Sequence, residues 1–330
     1  MPRTWGFWTK GKLQILERYL QAFCVASKAA GERVYLDLFA GQPENVERQT
    51  GEPIAGSAEI ALRTGPPAFT RFRLFELGVN ATKLEAELRR QFVDPDIEVY
   101  AGDCNERITD ALTRLRELRW APTFAFIDPN GPDCHWSTLV QLADHKRGQR
   151  TKVELWILLP VALFTRNLPV DGATPVREED AEKITLMYGT DEWRHIYDAR
   201  RRGDFAPVEA REEYVNLMRW RLEQNLGYAW THPFEVFNEG GVPLYHMIFA
   251  TDHEAGTRIM SHLYGQAALE FPVMQAEARQ RRKDEQEQRA GILSLFPAAE
   301  MMALQARIPG QARVMYQHQP PEKPFWITGA

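Results

Sequence analysis

The stretch VYLDLFAG, residues 34–41, decides the fold. Its apolar side chains predict a β-strand that is buried on both faces, as in a parallel sheet covered by helices. Asp37 lies near the end of this strand, and Ala40 and Gly41 follow where the chain must turn tightly. A parallel strand that ends in an acid and a turn of small residues is typical of sites that hold nucleotide-like cofactors.

Composition limits the classes of function. The chain has 330 residues and a net charge of −5, so nothing draws the whole molecule toward nucleic acid, and such binding would need a local basic patch. No apolar run approaches the roughly 20 residues that span a bilayer. The opening MPRTWGFWTKGK has no apolar core of a signal peptide. We therefore expect a cytoplasmic protein without a membrane partner.

Cysteine and histidine give no support for a metal site or a disulfide framework. The three cysteines are far apart in sequence and form no C-x-x-C pair, and the eight histidines have no ligand spacing. Free, reduced thiols are the expectation.

Strands and helices alternate over the first half of the chain. The predicted strands are 34–41, 71–77, 96–103, 123–131 and 153–160, and the predicted helices are 10–29, 53–64, 79–92, 104–119 and 136–146. This alternation predicts parallel β-α-β units, hence an α/β, doubly wound, Rossmann-like sheet with five parallel strands.

The pattern changes after Pro160. We predict a loop over 161–178, helical stretches over 179–200 and 208–226, a hairpin of strands 232–238 and 243–251, and helices over 253–265 and 274–290. The tail from residue 305 contains four prolines and is expected to be extended or poorly ordered. The predicted units are an N-terminal helical extension, 1–32, a main domain, 33–265, with a helical insertion at about 161–230, and a charged helix and tail, 266–330.

Acids also follow the second and third strands. Glu76 ends the second strand, with Leu77 after it, and its carboxylate can accept hydrogen bonds from both hydroxyls of a ribose. Asp103 and Cys104 follow the third strand; the acid can accept from an adenine amino group, and the backbone N–H of Cys104 can approach the ring. Helix capping is the simpler alternative for Asp103. We expect Asp37, Glu76 and Asp103 to meet at one rim of the sheet.

The segment Asp128-Pro129-Asn130-Gly131 follows the fourth strand. Its place matches the Asp/Asn-Pro-Pro-aromatic motif of amino-methyltransferases, in which a side chain and a backbone carbonyl accept hydrogen bonds from the target amine. Here Asn130 replaces the second proline and Gly131 the aromatic residue. Trp136, a few residues later, either stacks on a flat substrate or packs in the core.

Two levels of resemblance follow from these motifs. Asp-Leu-Phe-Ala-Gly is similar to the sequence motif at this position in many S-adenosylmethionine-dependent methyltransferases. The order FWTKGKLQILERYLQAF, YLDLFAG, GEPIAGSAEIAL, FIDPNG and PLYHMIFAT, within about residues 5–265, resembles the three-Cys-motif partner proteins (TcmP), a bacterial family. Their name refers to cysteines of a neighbouring radical-SAM-like protein, not to those of this chain.

The resemblance implies a class I methyltransferase fold, with a terminal antiparallel hairpin after five parallel strands. It implies S-adenosylmethionine as cofactor, bound by Asp37, Phe39, Ala40, Gly41, Glu76, Leu77, Asp103 and Cys104. Asp128, Pro129 and Asn130 would face the methyl acceptor, a nucleobase or nucleotide-like amine, and the insertion would close over it. A radical-SAM-like protein is an implied partner.

Two alternatives remain open at this stage. The chain departs from the family's Gly-Pro-Gly at Gly41-Gln42-Pro43 and lacks a proline and an aromatic residue at 130–131. These departures favour a non-catalytic partner protein with a methyltransferase-like fold, which binds a neighbouring protein or nucleic acid. A third reading is a metal-dependent phosphodiester enzyme that uses Asp37, Glu76 and Asp128.

Overall fold

Alternation along the first buried strand assigns its side chains to two different cores. Val34 and Leu36 pack into one hydrophobic cluster, and Tyr35, between them, packs into the other. The strand therefore lies inside a three-layer molecule with helices on both faces. The computed structural model describes residues 3–42, 45–47, 51–171, 173–289 and 316–327.

The elements are numbered in chain order. The strands are β1 Arg3–Trp5, β2 Val34–Asp37, β3 Asn45–Glu47, β4 Arg71–Glu76, β5 Asp96–Ala101, β6 Thr123–Ile127, β7 Glu154–Leu159, β8 Trp230–Phe237 and β9 Pro243–Thr251. The helices are α1 Phe7–Ala26, α2 Ser57–Leu62, α3 Gly78–Gln91, α4 Cys104–Arg114, α5 Trp136–His145, α6 Val161–Asn167, α7 Glu178–Tyr188, α8 Trp193–Arg202, α9 Pro207–Gln224 and α10 Glu254–Arg289.

Seven strands form one mixed sheet in the order β5-β4-β2-β6-β7-β9-β8. The first five are parallel, β9 runs antiparallel to β7, and β8 runs antiparallel to β9. The predicted mixed α/β sheet with a C-terminal antiparallel pair is confirmed. The total number of strands differs, because β1 and β3 form an additional two-stranded parallel sheet that the sequence did not indicate.

The helices form two layers, one on each face of the sheet. Helices α1, α2, α3 and α10 cover one face of the sheet, while α4, α5 and the insertion helices cover the other. Among the described residues, no helix combines the length and the apolar character that crossing a bilayer requires.

Three predictions about helices were wrong in detail. Residues 161–167 form α6 rather than a loop. The stretch predicted as one helix over 179–200 is two helices, because Gly189 ends α7 in a left-handed conformation with φ 65°. The helices predicted at 253–265 and 274–290 are one continuous α10, which contains Pro272. The domain boundaries stay a prediction, although α10 runs unbroken across residue 265.

The described part of the C-terminal tail is extended and packs on the insertion. Asn216 of α9 exchanges two hydrogen bonds with the backbone of Glu322, at 2.8 and 2.9 Å. The ring of Trp326 stacks on His195 with 5.1 Å between centroids. Residues 316–327 therefore fasten α8 and α9 from outside, while residues 305–315 of the predicted tail lie outside the described residues.

A buried carboxyl joins the sheet to the helices on one face. Glu154 of β7 accepts hydrogen bonds from the hydroxyl groups of Tyr19 at 2.5 Å and Thr251 at 2.7 Å. Burial raises the pKa of Glu154 from 4.5 to about 7, and the two hydrogen bonds only partly oppose this shift. The folded protein therefore binds this proton more tightly than the unfolded chain does between pH 4.5 and 7.

We expect Glu154→Gln to remove a pH-dependent loss of stability. The folded-state pKa is raised, so the wild type loses stability as pH rises from 4.5 through about 7, and the neutral amide does not titrate. As pH rises through this window, the free energy of unfolding of the variant minus that of the wild type should increase by up to about 3 kcal/mol. Urea unfolding at several pH values measures the difference. Glu117→Gln, at an exposed position, serves as control, and parallel pH profiles for Glu154→Gln and wild type would contradict the assignment.

Candidate functional site

A cavity of about 870 Å³ opens where the parallel strands end. Its walls come from the segments after β2, β4, β5 and β6, together with the first turns of α1 and parts of α6 and β9. The chain passes from β2 outward to β4 and β5 and then returns to β6 on the other side of β2. This reversal is the topological switch point at which open α/β sheets bind their ligands.

Glu76 ties the loops on both sides of its strand. The backbone N–H of Gly41 donates to the Glu76 carboxylate at 2.7 Å, and the N–H of Gly102 donates to the Glu76 carbonyl at 3.0 Å. Gly41 has φ 76°, in the left-handed region that favours glycine, so the turn after β2 depends on this residue. The loops after β2, β4 and β5 are therefore held as one surface.

Most of the sequence-predicted residues meet in this cavity. Those that line it are Phe39, Ala40, Gly41, Glu76, Leu77, Asp103, Cys104, Asp128, Pro129 and Asn130. Asp103 accepts a hydrogen bond from the backbone N–H of Asn105 at 2.8 Å, so it caps α4 as well as lining the cavity. Burial raises the pKa of the Cys104 thiol to about 12, which keeps this thiol protonated.

Asp37 departs from the expected rim of three carboxylates. It is fully buried and does not line the cavity; it accepts hydrogen bonds from the Tyr35 hydroxyl at 3.0 Å and the Phe39 N–H at 3.3 Å. Burial raises its pKa to about 7, an effect that hydrogen bonds from Ser57, Tyr35 and Phe39 oppose. Because side chains alternate along a strand, Asp37 lies on the same side of β2 as Tyr35. There it stabilises the turn after β2 through its hydrogen bond from the Phe39 N–H.

Other candidates also lie outside the cavity. Trp136 is buried and packs in the core, with the Arg221 guanidinium 4.5 Å from its ring centroid. Of the described part of the insertion, α6 lines the cavity through Ala162 and Leu163, while α7, α8 and α9 pack against the helical layer. Pro43 and Glu44, in the loop that departs from the family pattern, lie outside the described residues.

The most consequential residue that the sequence analysis did not assign is Lys12. It is buried, lines the cavity and forms an ion pair with Asp128, which is 116 residues away in sequence. The spacing of the sequence could have indicated that Lys12 faces the sheet, because it lies four residues after Trp8 and four before Leu16, on the buried face of the helix. Tyr245 of β9 lines the cavity beside Lys12 and was also not assigned.

Asn105 joins the two walls of the cavity. Its side-chain amide donates to the carbonyl of Asp133 at 2.8 Å, and its amide oxygen accepts from the His135 N–H at 2.9 Å and the Thr138 hydroxyl at 2.8 Å. These bonds fix the start of α4 to the segment between β6 and α5 and to the first turn of α5. The wall that carries Asp103 is thus coupled to the wall that carries Asp128.

The electrostatics of the lining are predominantly negative. Four carboxyl groups, Glu76, Asp103, Asp128 and Asp133, face one lysine, Lys12. Such a lining attracts a ligand that carries positive charge. Within the described part of the chain, no three His, Cys, Asp or Glu side chains are grouped so that they could hold a metal ion.

The comparisons with known proteins found similar solved structures, and the three described below have low sequence identity to this chain. No family model matches the chain, and no curated protein matches it. A Legionella pneumophila protein of the DUF519 family is 11% identical with a TM-score of 0.40, over 72% of this chain and 84% of that one.

Two further solved structures are methyltransferases by description. A Thermobifida fusca protein with a methyltransferase assignment is 16% identical, with a TM-score of 0.34, over 74% of this chain and 80% of that one. The methyltransferase domain of a bacterial Hen1 protein is 12% identical, with a TM-score of 0.32, over 72% and 98%. These values are low, so membership of the three-Cys-motif partner family stays a prediction.

We expect Asn105→Ala to destabilise the protein by about 1–3 kcal/mol, because the substitution leaves the buried Thr138 hydroxyl and the half-buried His135 N–H without their acceptor. The free energy of unfolding in urea measures this loss. Glu106→Ala, at the next and exposed position of α4, should change stability by about 0.5 kcal/mol or less. Equal effects of the two substitutions would show that Asn105 does not couple the walls.

Proposed function

We propose that the chain is a class I S-adenosylmethionine-dependent methyltransferase. The observation that carries the proposal is the acidic cavity of about 870 Å³ at the switch point of the sheet. Its volume lies within the range of roughly 300–1,000 Å³ that is usual for cofactor sites. Five parallel strands followed by an antiparallel pair, with β9 inserted between β7 and β8, is the arrangement that separates methyltransferase sheets from those of dinucleotide-binding enzymes.

The residues present fit an adenosyl sulfonium. Glu76 lies at the end of β4, where a carboxylate can accept from ribose hydroxyls, and a carboxylate has acceptor capacity beyond the bond from Gly41. Asp103 and Cys104 line the cavity next to it, after the end of β5, where they would contact the adenine ring. Phe39, Ala40 and Gly41 form the turn that would face the methionine end. The excess of carboxyl groups suits a cofactor with a positively charged sulfur and amino group.

The acceptor would lie beside Asp128, Pro129 and Asn130, at the side of the cavity formed by α1, α6 and β9. S-adenosylmethionine supplies a methyl group that is already activated. The protein then has to align the acceptor and exclude water. The buried lining from Leu13, Leu158 and Tyr245 supports the exclusion of water. A nucleobase or nucleotide-like acceptor is part of this proposal.

Calorimetric titration with S-adenosylmethionine tests the proposal. The wild type should bind, and Glu76→Ala should weaken binding at least about 10-fold, because it removes charge-assisted hydrogen bonds and the support of Gly41. Glu76→Gln, which retains an acceptor for the Gly41 N–H, should weaken binding less.

Glu117→Ala is the matched control, because Glu117 is exposed and lies outside the cavity lining; it should leave the dissociation constant unchanged. A folded wild type that shows no binding of the cofactor, by heat change at two temperatures, would refute the enzyme and leave the non-catalytic partner protein as the better reading. Circular dichroism establishes folding for each variant.

A further inference from the structure

Lys12 is the one basic side chain among the described residues that line the cavity. Its ammonium group forms an ion pair with Asp128, and the two side chains are 6% and 16% exposed. The ammonium nitrogen also lies 5.9 Å from the ring centroid of Phe126 and 5.7 Å from that of Tyr245. Because little water reaches the pair, each charge depends on the other for compensation.

This ion pair leaves the cavity without a cation for an anionic ligand. A phosphate that took Lys12 from Asp128 would leave a largely buried carboxylate without its counterion, which is strongly unfavourable. A phosphate that left the pair intact would meet no other basic side chain among the described lining residues. Neither arrangement gives a phosphate the charge-assisted hydrogen bonds by which proteins usually hold it.

The other charges of the lining repel a phosphate. Glu76, Asp103 and Asp133 contribute three further carboxyl groups. The sulfonium and amino group of a bound cofactor are offset in part by its own carboxylate, so the cofactor does not cancel these charges. A phosphate monoester carries a charge of about −1.5 to −2 at pH 7, and like charges across a binding surface disfavour a ligand.

The uncharged part of the lining suits a neutral ligand. It contains five hydroxyl and amide side chains, which are those of Thr9, Gln42, Ser57, Asn80 and Asn130. Such groups both donate and accept hydrogen bonds. Leu13 and Leu158 add buried apolar surface. The ring and hydroxyl groups of a base or nucleoside match this lining, whereas a phosphate does not.

We propose that the ion pair between Lys12 and Asp128 makes the cavity select a neutral methyl acceptor, a nucleobase or nucleoside, against the corresponding phosphorylated nucleotide. This inference rests on the proposed function and narrows its acceptor class. The selection has two causes, which are the occupation of Lys12 by Asp128 and the repulsion of a phosphate by the remaining carboxyl groups.

Equilibrium dialysis of radiolabelled adenosine, cytidine, guanosine and uridine, and of their 5′-monophosphates, tests this selection. The protein is first saturated with S-adenosylhomocysteine, so that the labelled ligands report on the acceptor side of the cavity. At least one nucleoside should bind, and it should bind at least about 10-fold more tightly than its own monophosphate.

Asp128→Asn tests the role of the ion pair. The amide retains the size of the side chain and an acceptor oxygen but no longer neutralises Lys12, so the ammonium group becomes available to a phosphate. The ratio of monophosphate affinity to nucleoside affinity should rise at least about 5-fold. Asp94→Asn removes the same charge at an exposed position outside the described lining. It is the matched control and should retain the wild-type ratio.

Asp133→Asn keeps the inference testable if Asp128→Asn does not fold. Asp133 is exposed, and its backbone carbonyl rather than its side chain accepts the hydrogen bond from Asn105, so the substitution leaves that contact in place. Removal of this carboxyl charge from the lining should reduce the preference for the nucleoside by about 2-fold or more. Asp94→Asn is again the control.

The outcomes distinguish the inference from the proposed function. A wild type that binds S-adenosylhomocysteine but no nucleoside, or that binds monophosphates as tightly as nucleosides, would overturn the inference alone. An unchanged affinity ratio in Asp128→Asn, or in Asp133→Asn where Asp128→Asn does not fold, would overturn it as well. Failure of the wild type to bind S-adenosylmethionine or S-adenosylhomocysteine would overturn the proposed function and the inference together.

Discussion

The two hydrogen bonds of Glu76 are the constraint on which the cavity depends. One joins its carboxylate to the Gly41 N–H, and the other joins its carbonyl to the Gly102 N–H, so three neighbouring strand ends share one residue. Parallel strands all end at the same edge of a sheet, which brings these loops together, but only such cross-links fix their relative positions. The same carboxylate is therefore both a part of the scaffold and a candidate ligand for ribose.

The second organising interaction is the ion pair between Lys12 and Asp128. It connects the first helix of the chain to the loop after the fourth parallel strand, across 116 residues. Both side chains are largely buried, and a single unpaired charge there would be strongly unfavourable. Each charge is therefore compensated by the other. Helix α1 is thus a wall of the cavity as well as a cover of the sheet, and Asp128 lines that cavity as one half of an ion pair.

Particular residues show how far sequence reasoning reached. Glu76, Asp103 and Asp128 follow strands at the expected places and line the cavity, because hydrophobic strands and turn residues are local signals. Asp37 does not line the cavity, because its carboxyl group is buried and hydrogen-bonded to Tyr35 and Ser57. Such packing contacts decide whether a side chain at a strand end faces a cavity, and the local sequence does not show them. Lys12 was predicted only as part of the helix over 10–29, and no local pattern identifies its distant partner.

The sequence by itself determined the layered α/β sheet, its five parallel strands with an antiparallel pair after them, and the strand-end acids, because these follow from periodicity and from the residues at each turn. Only the tertiary structure decided which acids face the cavity, that Lys12 pairs with Asp128, and that the Tyr245 hydroxyl is buried with no hydrogen-bond partner among the described residues. The physical reason is that burial and charge pairing depend on residues far apart in the chain, and folding alone brings them into contact.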